Sequence, residues 1–346
     1  MKSSISIIIV TYNCEDIIED CLLRLIDSIS QSVEIVLVDN NSSDNTISEI
    51  NKFIPRVKLF QSADNLGYSG GNNIGVKNSN GDYILFMNAD VTVTKGFLEP
   101  LIEILKSNEN VSATQPLVLL SDNRKRINLT GKTLHYVGLE WCSDYGHIYD
   151  KENLNVHEIQ AISGSCFLVR RSVYDKVGGF DDEYFMYGED SDLSWRIRSI
   201  NKKLVFVPNS IVYHDYKFLV NKKNLALKKK FYYVERNRLI NILTGYQLKS
   251  LLILFPALLV TEVGLCLYSM LNGLLKSKIK GYLFLFRNAK YLMQKRRSLM
   301  SLRTVGDEIL LKDAESSVNY TDFGGKGIRL FNIFWGIYWK LAKKFI

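Results

Sequence analysis

Residues 5–10 form a nearly unbroken apolar, β-branched run that stops at the polar Thr11, Tyr12 and Asn13, and residues 32–38 form a second that stops at Asp39, Asn40 and Asn41. Between them Ile17, Ile18, Cys21, Leu22, Leu25, Ile26 and Ile29 recur at helical spacing, which places them on one face of an amphipathic helix. Strand, helix, strand in forty residues is the crossover unit of a parallel sheet. A helix over about 44–53, a short strand at 57–60, a helix over about 70–78 and a buried strand at 83–87 continue the alternation. The pattern predicts an α/β sheet covered by helices on both faces.

Beyond residue 215 the pattern changes. Residues 251–275 are apolar apart from Thr261, Glu262, Ser269 and Asn272, and carry Pro256. That is long enough to span a bilayer. Glu262 near the middle costs about 2.5–3.5 kcal/mol on insertion scales, and Pro256 kinks a helix, so a helix hairpin or an in-plane segment competes with a span. Lys and Arg interleave with Tyr282, Phe284 and Phe286, and later Leu330, Phe331, Phe334, Trp335, Tyr338, Leu341 and Phe345 recur beside Lys340, Lys343 and Lys344. Basic amphipathic helices of this kind suit a membrane surface; core helices with a solvated basic face are the competing reading.

Charge sharpens that division. Residues 216–346 hold 24 Lys and Arg against 7 Asp and Glu, while residues 1–215 hold 20 against 29, so opposite electrostatics share one chain. No nucleic-acid motif accompanies the basic part, and an anionic membrane surface is the expected partner rather than nucleic acid. A length of 346 residues with 47% hydrophobic and 23% charged residues predicts two ordered domains, divided at residues 1–215 and 216–346, and excludes disordered and collagenous classes. Five scattered cysteines without a C-x-x-C pair argue against a disulfide framework or zinc ribbon and favour a reducing compartment. Residues 1–9 read as a core strand and not as a secretory signal.

Ligands on open α/β sheets bind beyond the carboxyl ends of the strands. There this chain places Thr11, Tyr12 and Asn13, then Asp39 to Asp44, then Asn88, Ala89 and Asp90. Helix capping and turns are the bland use of such residues. Asp44 is better placed than Asp39 to cap the following helix, which leaves Asp39 freer for a nucleobase or sugar hydroxyl. Residues 64–75 pack Gly67, Gly70, Gly71 and Gly75 among Asn65, Asn72 and Asn73. This is neither a dinucleotide nor a P-loop fingerprint, yet glycines before a helix let backbone amides approach a diphosphate. Asp90 suits a divalent ion, and His214 is a candidate second ligand that favours Mn2+ over Mg2+. Residues 181–192 hold six acids. Asp190, at the start of a predicted helix, is a candidate general base and also a candidate cap.

The motifs I-V-T-Y-N (9–13), V-D-N-N-S (38–42), N-L-G-Y-S-G-G-N-N (65–73), N-A-D (88–90) and F-M-Y-G-E-D-S-D-L-S-W-R (185–196) together resemble those of the family 2 glycosyltransferases, in particular the rhamnosyltransferase-like branch, over about residues 4–215. The resemblance implies a GT-A fold: a Rossmann-like, mixed sheet flanked by helices, here with a helical, membrane-associated carboxyl-terminal region. It implies that Thr11, Tyr12, Asn13, Asp39, Asn65, Gly67, Asn72 and Asn88 line the nucleotide of a nucleotide-diphospho-sugar donor, dTDP-rhamnose or a UDP-sugar. Asp90 and His214 would hold Mn2+ or Mg2+, Asp190 would be the base of an inverting transfer, and Glu189, Trp195 and Arg196 would border donor and acceptor. Asn88 departs from the family's D-x-D pattern, and the Q-x-x-R-W signature of processive synthases is missing, which favours single addition. The expected acceptor is a polyprenyl-diphosphate-linked glycan at the cytoplasmic face of the membrane. A noncatalytic nucleotide-sugar-binding scaffold is the alternative; the presence of both Asp90 and Asp190 speaks against it.

Overall fold

In the computed structural model, which describes residues 4–216, 225–318 and 326–346, the two opening apolar runs are strands β1 (Ile5–Thr11) and β2 (Glu34–Asp39), joined by helix α1 (Ile18–Ser28). The strands pair in parallel with Thr11 level with Asp39, so both polar strand ends reach one edge. Helix α1 buries Ile18, Cys21, Leu22 and Leu25 against the sheet. Helix α2 (Thr46–Asn51), β3 (Lys58–Gln61), α3 (Gly67–Lys77) and β4 (Tyr83–Met87) follow, within a few residues of the predicted ranges. β3 extends the sheet beside β2, and β4 lies parallel to β1 on its other side. Ile7, Ile8, Ile9, Val36, Leu37 and Leu85 are fully buried, each stabilising the fold by roughly 1.5–3 kcal/mol.

The chain then supplies β5 (Val91–Val93), α4 (Leu98–Ser107), β6 (Val111–Leu120), β7 (Ile127–Leu129), the short β8 (Lys132–Leu134) and β9 (Glu140–Cys142), β10 (His157–Glu158), β11 (Cys166–Arg170), α5 (Arg171–Lys176), α6 (Glu189–Ser199) and β12 (Lys203–His214). β11 inserts antiparallel between β4 and β6, giving the order β10-β12-β6-β11-β4-β1-β2-β3, with β5 on β12 and β7 on β6. The sheet is therefore mixed, with helices flanking it. Pairing of β5 with β12 sets His214 opposite Val91, one residue from Asp90.

By its contacts the chain divides into two units, one of Met1–Lys132, Cys142–Ile197 and Lys202–Lys217, the other of Thr133–Trp141, Arg198–Asn201 and Phe218–Ile346. The second is helical: α7 (Leu225–Gly245), α8 (Leu248–Leu271), α9 (Leu275–Arg287), α10 (Ala289–Leu302), α11 (Asp307–Leu310) and α12 (Lys326–Ala342). The apolar stretch at 251–275 is not one helix. α8 ends at Leu271 with Asn272 as its cap, and Gly273 takes a φ of +69°, the left-handed geometry that closes helices and favours glycine. With 24 residues and a mean hydropathy of 2.2, α8 is long and apolar enough to cross a membrane. Glu262 does not stand alone on it: Arg238 of α7 and Lys278 of α9 each pair with both Glu262 and Glu235. Burial by itself would raise the Glu262 carboxyl, but Arg238 and Lys278 hold it down at about 2.

Candidate active site

The loops after β1 and β2 are bound side by side. Thr11 Oγ1 donates to Asp39 Oδ1 at 3.0 Å, the Asn40 amide donates to the Thr11 carbonyl, and Asn13, at a φ of +52°, accepts from the Ser43 amide at 2.8 Å. The Asp39 carboxylate also accepts from the Ser42 amide and hydroxyl, at 2.8 and 2.5 Å, and is fully buried. Asp39 and the equally buried Thr11 join the two loops from within. Asp44 does tie the start of α2, accepting from Thr46 N at 3.0 Å. Tyr12, about half exposed, and Asn13 form the outer surface of this edge.

The glycine-rich segment lies inside α3 instead of preceding it. A Cβ on Gly71 would stand 2.7 Å from Val10, and one on Gly75 2.3 Å from Ile8, so these two glycines let the helix press onto β1. Gly67 has a φ of +69°, and a Cβ there would meet the Phe185 carbonyl at 2.3 Å; its part is to seat the loop that leads into α6. That loop holds Phe185 at a φ of +62° and Tyr187 at +66°, conformations bulky residues rarely adopt and which mark functional loops. Asn72 is buried and donates to the Tyr68 carbonyl one turn back. Asn65 accepts from the Gly67 amide at 2.9 Å and remains partly open to solvent.

At the end of β4, the Asn88 amide donates to the Ser165 carbonyl at 2.9 Å. Two residues on, Asp90 Oδ1 is buried without a hydrogen-bond donor, and His214 Nε2 stands 3.3 Å from it. His214 Nδ1 lies 2.8 Å from Asn128 Oδ1. A neutral ring that donates from Nδ1 to Asn128 would turn the Nε2 lone pair toward the Asp90 carboxylate. That donor set fits a divalent cation, with Asn128 orienting the ring. Among the described residues no group of three or more His, Cys, Asp and Glu side chains gathers, so Asp90 and His214 would be its protein ligands.

Asp190 lies in the first turn of α6, buried, where the helix dipole favours a carboxylate. The Gly164 amide donates to its Oδ2 at 2.8 Å, and Oδ1 accepts from the Ser191 amide at 2.8 Å and from Lys132 Nζ at 2.7 Å. Gly164 adjoins Ser165, so one peptide separates the Asn88 contact from the Asp190 contact. Lys132 supplies the counter-charge that a buried carboxylate requires. Sequence reasoning missed Lys132: it lies 58 residues from Asp190 along the chain with no motif around it. The Tyr68 hydroxyl donates to the Gly164 carbonyl at 2.7 Å, and burial holds that phenol protonated, well above its ordinary range. Trp195 and Arg196, expected at the border of donor and acceptor, are buried; Arg196 bonds Asp192 at 2.7 Å and the Val177 carbonyl. The Arg196 bonds tie α6 to the end of α5. Glu189 is buried in the same first turn as Asp190.

Residues 6–178, half of the chain, match the family described as "Glycosyl transferase family 2". The chain belongs to this family and is a glycosyltransferase. It is 30% identical over 235 residues to the N-acetylglucosaminyl-diphospho-decaprenol L-rhamnosyltransferase of Mycobacterium tuberculosis, covering 62% of this chain and 76% of that protein. The low-salt glycan biosynthesis hexosyltransferase Agl10 of Haloferax volcanii is 31% identical over 213 residues, covering 58% of this chain and 64% of its own length. Among solved structures, GalNAc-T7 with UDP, GalNAc and Mn2+ superposes with a TM-score of 0.58 at 18% identity, over 74% of this chain and 51% of that one. The Pyrobaculum calidifontis mannosyltransferase PcManGT with GDP-Man and Mn2+ gives 0.54 at 13% identity, over 99% and 86%. At those identities the likeness defines the fold, a GT-A-like mixed sheet flanked by helices.

Proposed function

We propose that the chain is an inverting transferase that moves a sugar from a nucleoside-diphosphate donor, dTDP-rhamnose or a UDP-sugar, to a hydroxyl of a polyprenyl-diphosphate-linked glycan in cell-surface glycan assembly, working at the cytoplasmic face of the membrane. The observation that carries the chemistry is Asp190. Its Oδ1 takes two hydrogen bonds and its Oδ2 one, and each carboxylate oxygen has two lone pairs, so Oδ2 keeps an acceptor position for an incoming hydroxyl. As that hydroxyl oxygen bonds to the anomeric carbon, its proton passes to Asp190 Oδ2 and the nucleoside diphosphate leaves with the electrons of the broken bond. One displacement inverts the anomeric centre and needs no covalent enzyme intermediate. A divalent ion, Mn2+ or Mg2+, held by Asp90 and His214 would neutralise charge on the diphosphate. Tyr12, Asn13, Asn65 and Asn88 offer polar surface to the nucleotide. The name of the mycobacterial relative, with its decaprenol diphosphate acceptor and rhamnosyl donor, supports the lipid-linked acceptor, and Mn2+ in two structural neighbours supports the ion.

The test is Asp190→Asn assayed with each nucleotide sugar. The variant is expected to fold and to retain nucleotide-induced thermal stabilisation while turnover falls at least about 100-fold. Near-normal turnover removes Asp190 from the base role. Wild-type protein that neither transfers nor hydrolyses any donor would instead favour the noncatalytic scaffold.

A further inference from the structure

Helices α8, α9 and α12 each leave one apolar face uncovered. On α8, Leu252, Phe255, Leu259, Val263, Leu267 and Met270 are more than half exposed and recur every three or four residues, while Leu254, Ala257, Thr261 and Ser269 opposite them are buried. On α12 the exposed set is Leu330, Ile333, Ile337 and Leu341, with Trp335 and Trp339 buried behind. α9 repeats the arrangement with Ile279, Leu283 and Phe286, the last 83% exposed.

The three helices are neighbours. Trp335 Nε1 donates to Thr261 Oγ1 at 3.0 Å, and the Tyr338 hydroxyl donates to the Ile253 carbonyl at 2.5 Å, so α12 runs antiparallel along α8. The Tyr282 hydroxyl donates to Glu262 at 2.6 Å from the other flank. Exposed apolar stripes on α8 and on the two helices packed against it are more than scattered surface residues give.

We infer that this surface seats in the headgroup and upper acyl region of an anionic leaflet, with α8 lying in the membrane plane instead of crossing it. Charge selects the occupant. Exposed Lys276, Lys280 and Arg287 flank the α9 stripe, and Arg329 and Lys340 flank that of α12, where long basic side chains reach headgroup phosphates. A second copy of this chain would set the same cations against themselves. Crossing, in contrast, would pull α8 off α12 and carry Glu262 away from Arg238 and Lys278 into hydrocarbon. Neither α9, of 13 residues, nor α12, of 17, reaches across the roughly 30 Å of a bilayer core. The inference deepens the membrane association proposed above, and its test separates the two.

The purified full chain is floated with vesicles of phosphatidylcholine alone or with about one third phosphatidylglycerol, beside the variants Phe255→Glu/Leu259→Glu and Ile333→Glu/Ile337→Glu, whose positions are exposed and whose folding is checked by circular dichroism. Binding is expected to be at least about tenfold tighter to the anionic vesicles, to weaken severalfold with added salt, and to fall about tenfold or more in each variant. Single cysteines replacing Lys249 and Lys276, with Cys14, Cys142 and Cys266 made serine, are then labelled by an impermeant maleimide in inside-out cell membranes. Labelling of both ends without detergent is the expected result. Protection of one end means a span: the in-plane seat falls and membrane association stands. No vesicle binding overturns both. Charge-sensitive self-association of wild type in light scattering makes a second copy the occupant and also overturns the inference.

Discussion

Lys132 and Asp190 meet at 2.7 Å with little access to water, and removing the Lys132 charge takes the counter-ion from a buried carboxylate. Lys132→Met is therefore expected to lower kcat by one to two orders of magnitude while nucleotide-induced stabilisation persists, with Lys132→Arg restoring part of the rate. Steady-state kinetics beside thermal shifts with dTDP and UDP check this, and an unchanged kcat would leave Lys132 a purely structural ion. Asn128 acts through His214. Asn128→Ala frees the imidazole to rotate, and orienting partners of metal ligands are worth about 10–100-fold in affinity. Titration of Mn2+ by the thermal stability of the nucleotide complex is expected to show weakening of that order, and no change would remove Asn128 from the site.

At the scale of elements, the seam between α3 and the loop at 185–188 depends on Gly67. Alanine there must hold a positive φ and push against the backbone of Phe185, a cost of about 1–3 kcal/mol, visible as a lower urea midpoint and a loosened approach to Asp190. β1, α1, β2 and β4 were legible in the sequence because each is a local pattern of buried residues ending in polar ones. β6 and β11 were not foreseen: their place depends on β11 lying antiparallel between β4 and β6, which no local period encodes. The glycines of α3 are ambiguous in the sequence for a related reason. A helix pressed onto a strand and a loop wrapped around phosphate both require missing side chains, and only the neighbours, Val10 and Ile8, tell them apart. Asp90, His214 and Asp190 stood out because each sits where a patterned strand ends or a patterned helix begins, whereas Lys132 and Asn128 are ordinary residues placed by the fold.

Taken whole, the chain joins a net acidic catalytic unit to a helical unit in which the buried Glu235, Arg238 and Lys278 and the half-buried Glu262 balance one another. Since the Glu262 carboxyl sits at about 2 against an ordinary 4.5, its contribution to stability is complete above pH 4.5 and is lost as pH falls toward 2. Glu262→Gln is expected to cost on the order of 3 kcal/mol near neutrality. The gap in urea midpoint between wild type and variant should close between about pH 4.5 and 2, and a gap independent of pH would show that the pairing contributes no linkage. The same cluster has a consequence in time. Arg238 is made before α8, but Lys278 comes after it, and α12 begins 55 residues beyond Leu271. At about 5–20 residues per second, α8 waits roughly 3–11 s for the helix that covers its flank. During that interval it is, to the machinery receiving the nascent chain, a 24-residue apolar segment with one carboxylate, and whether it is handed to an insertion channel or left to fold depends on how soon its partners leave the ribosome.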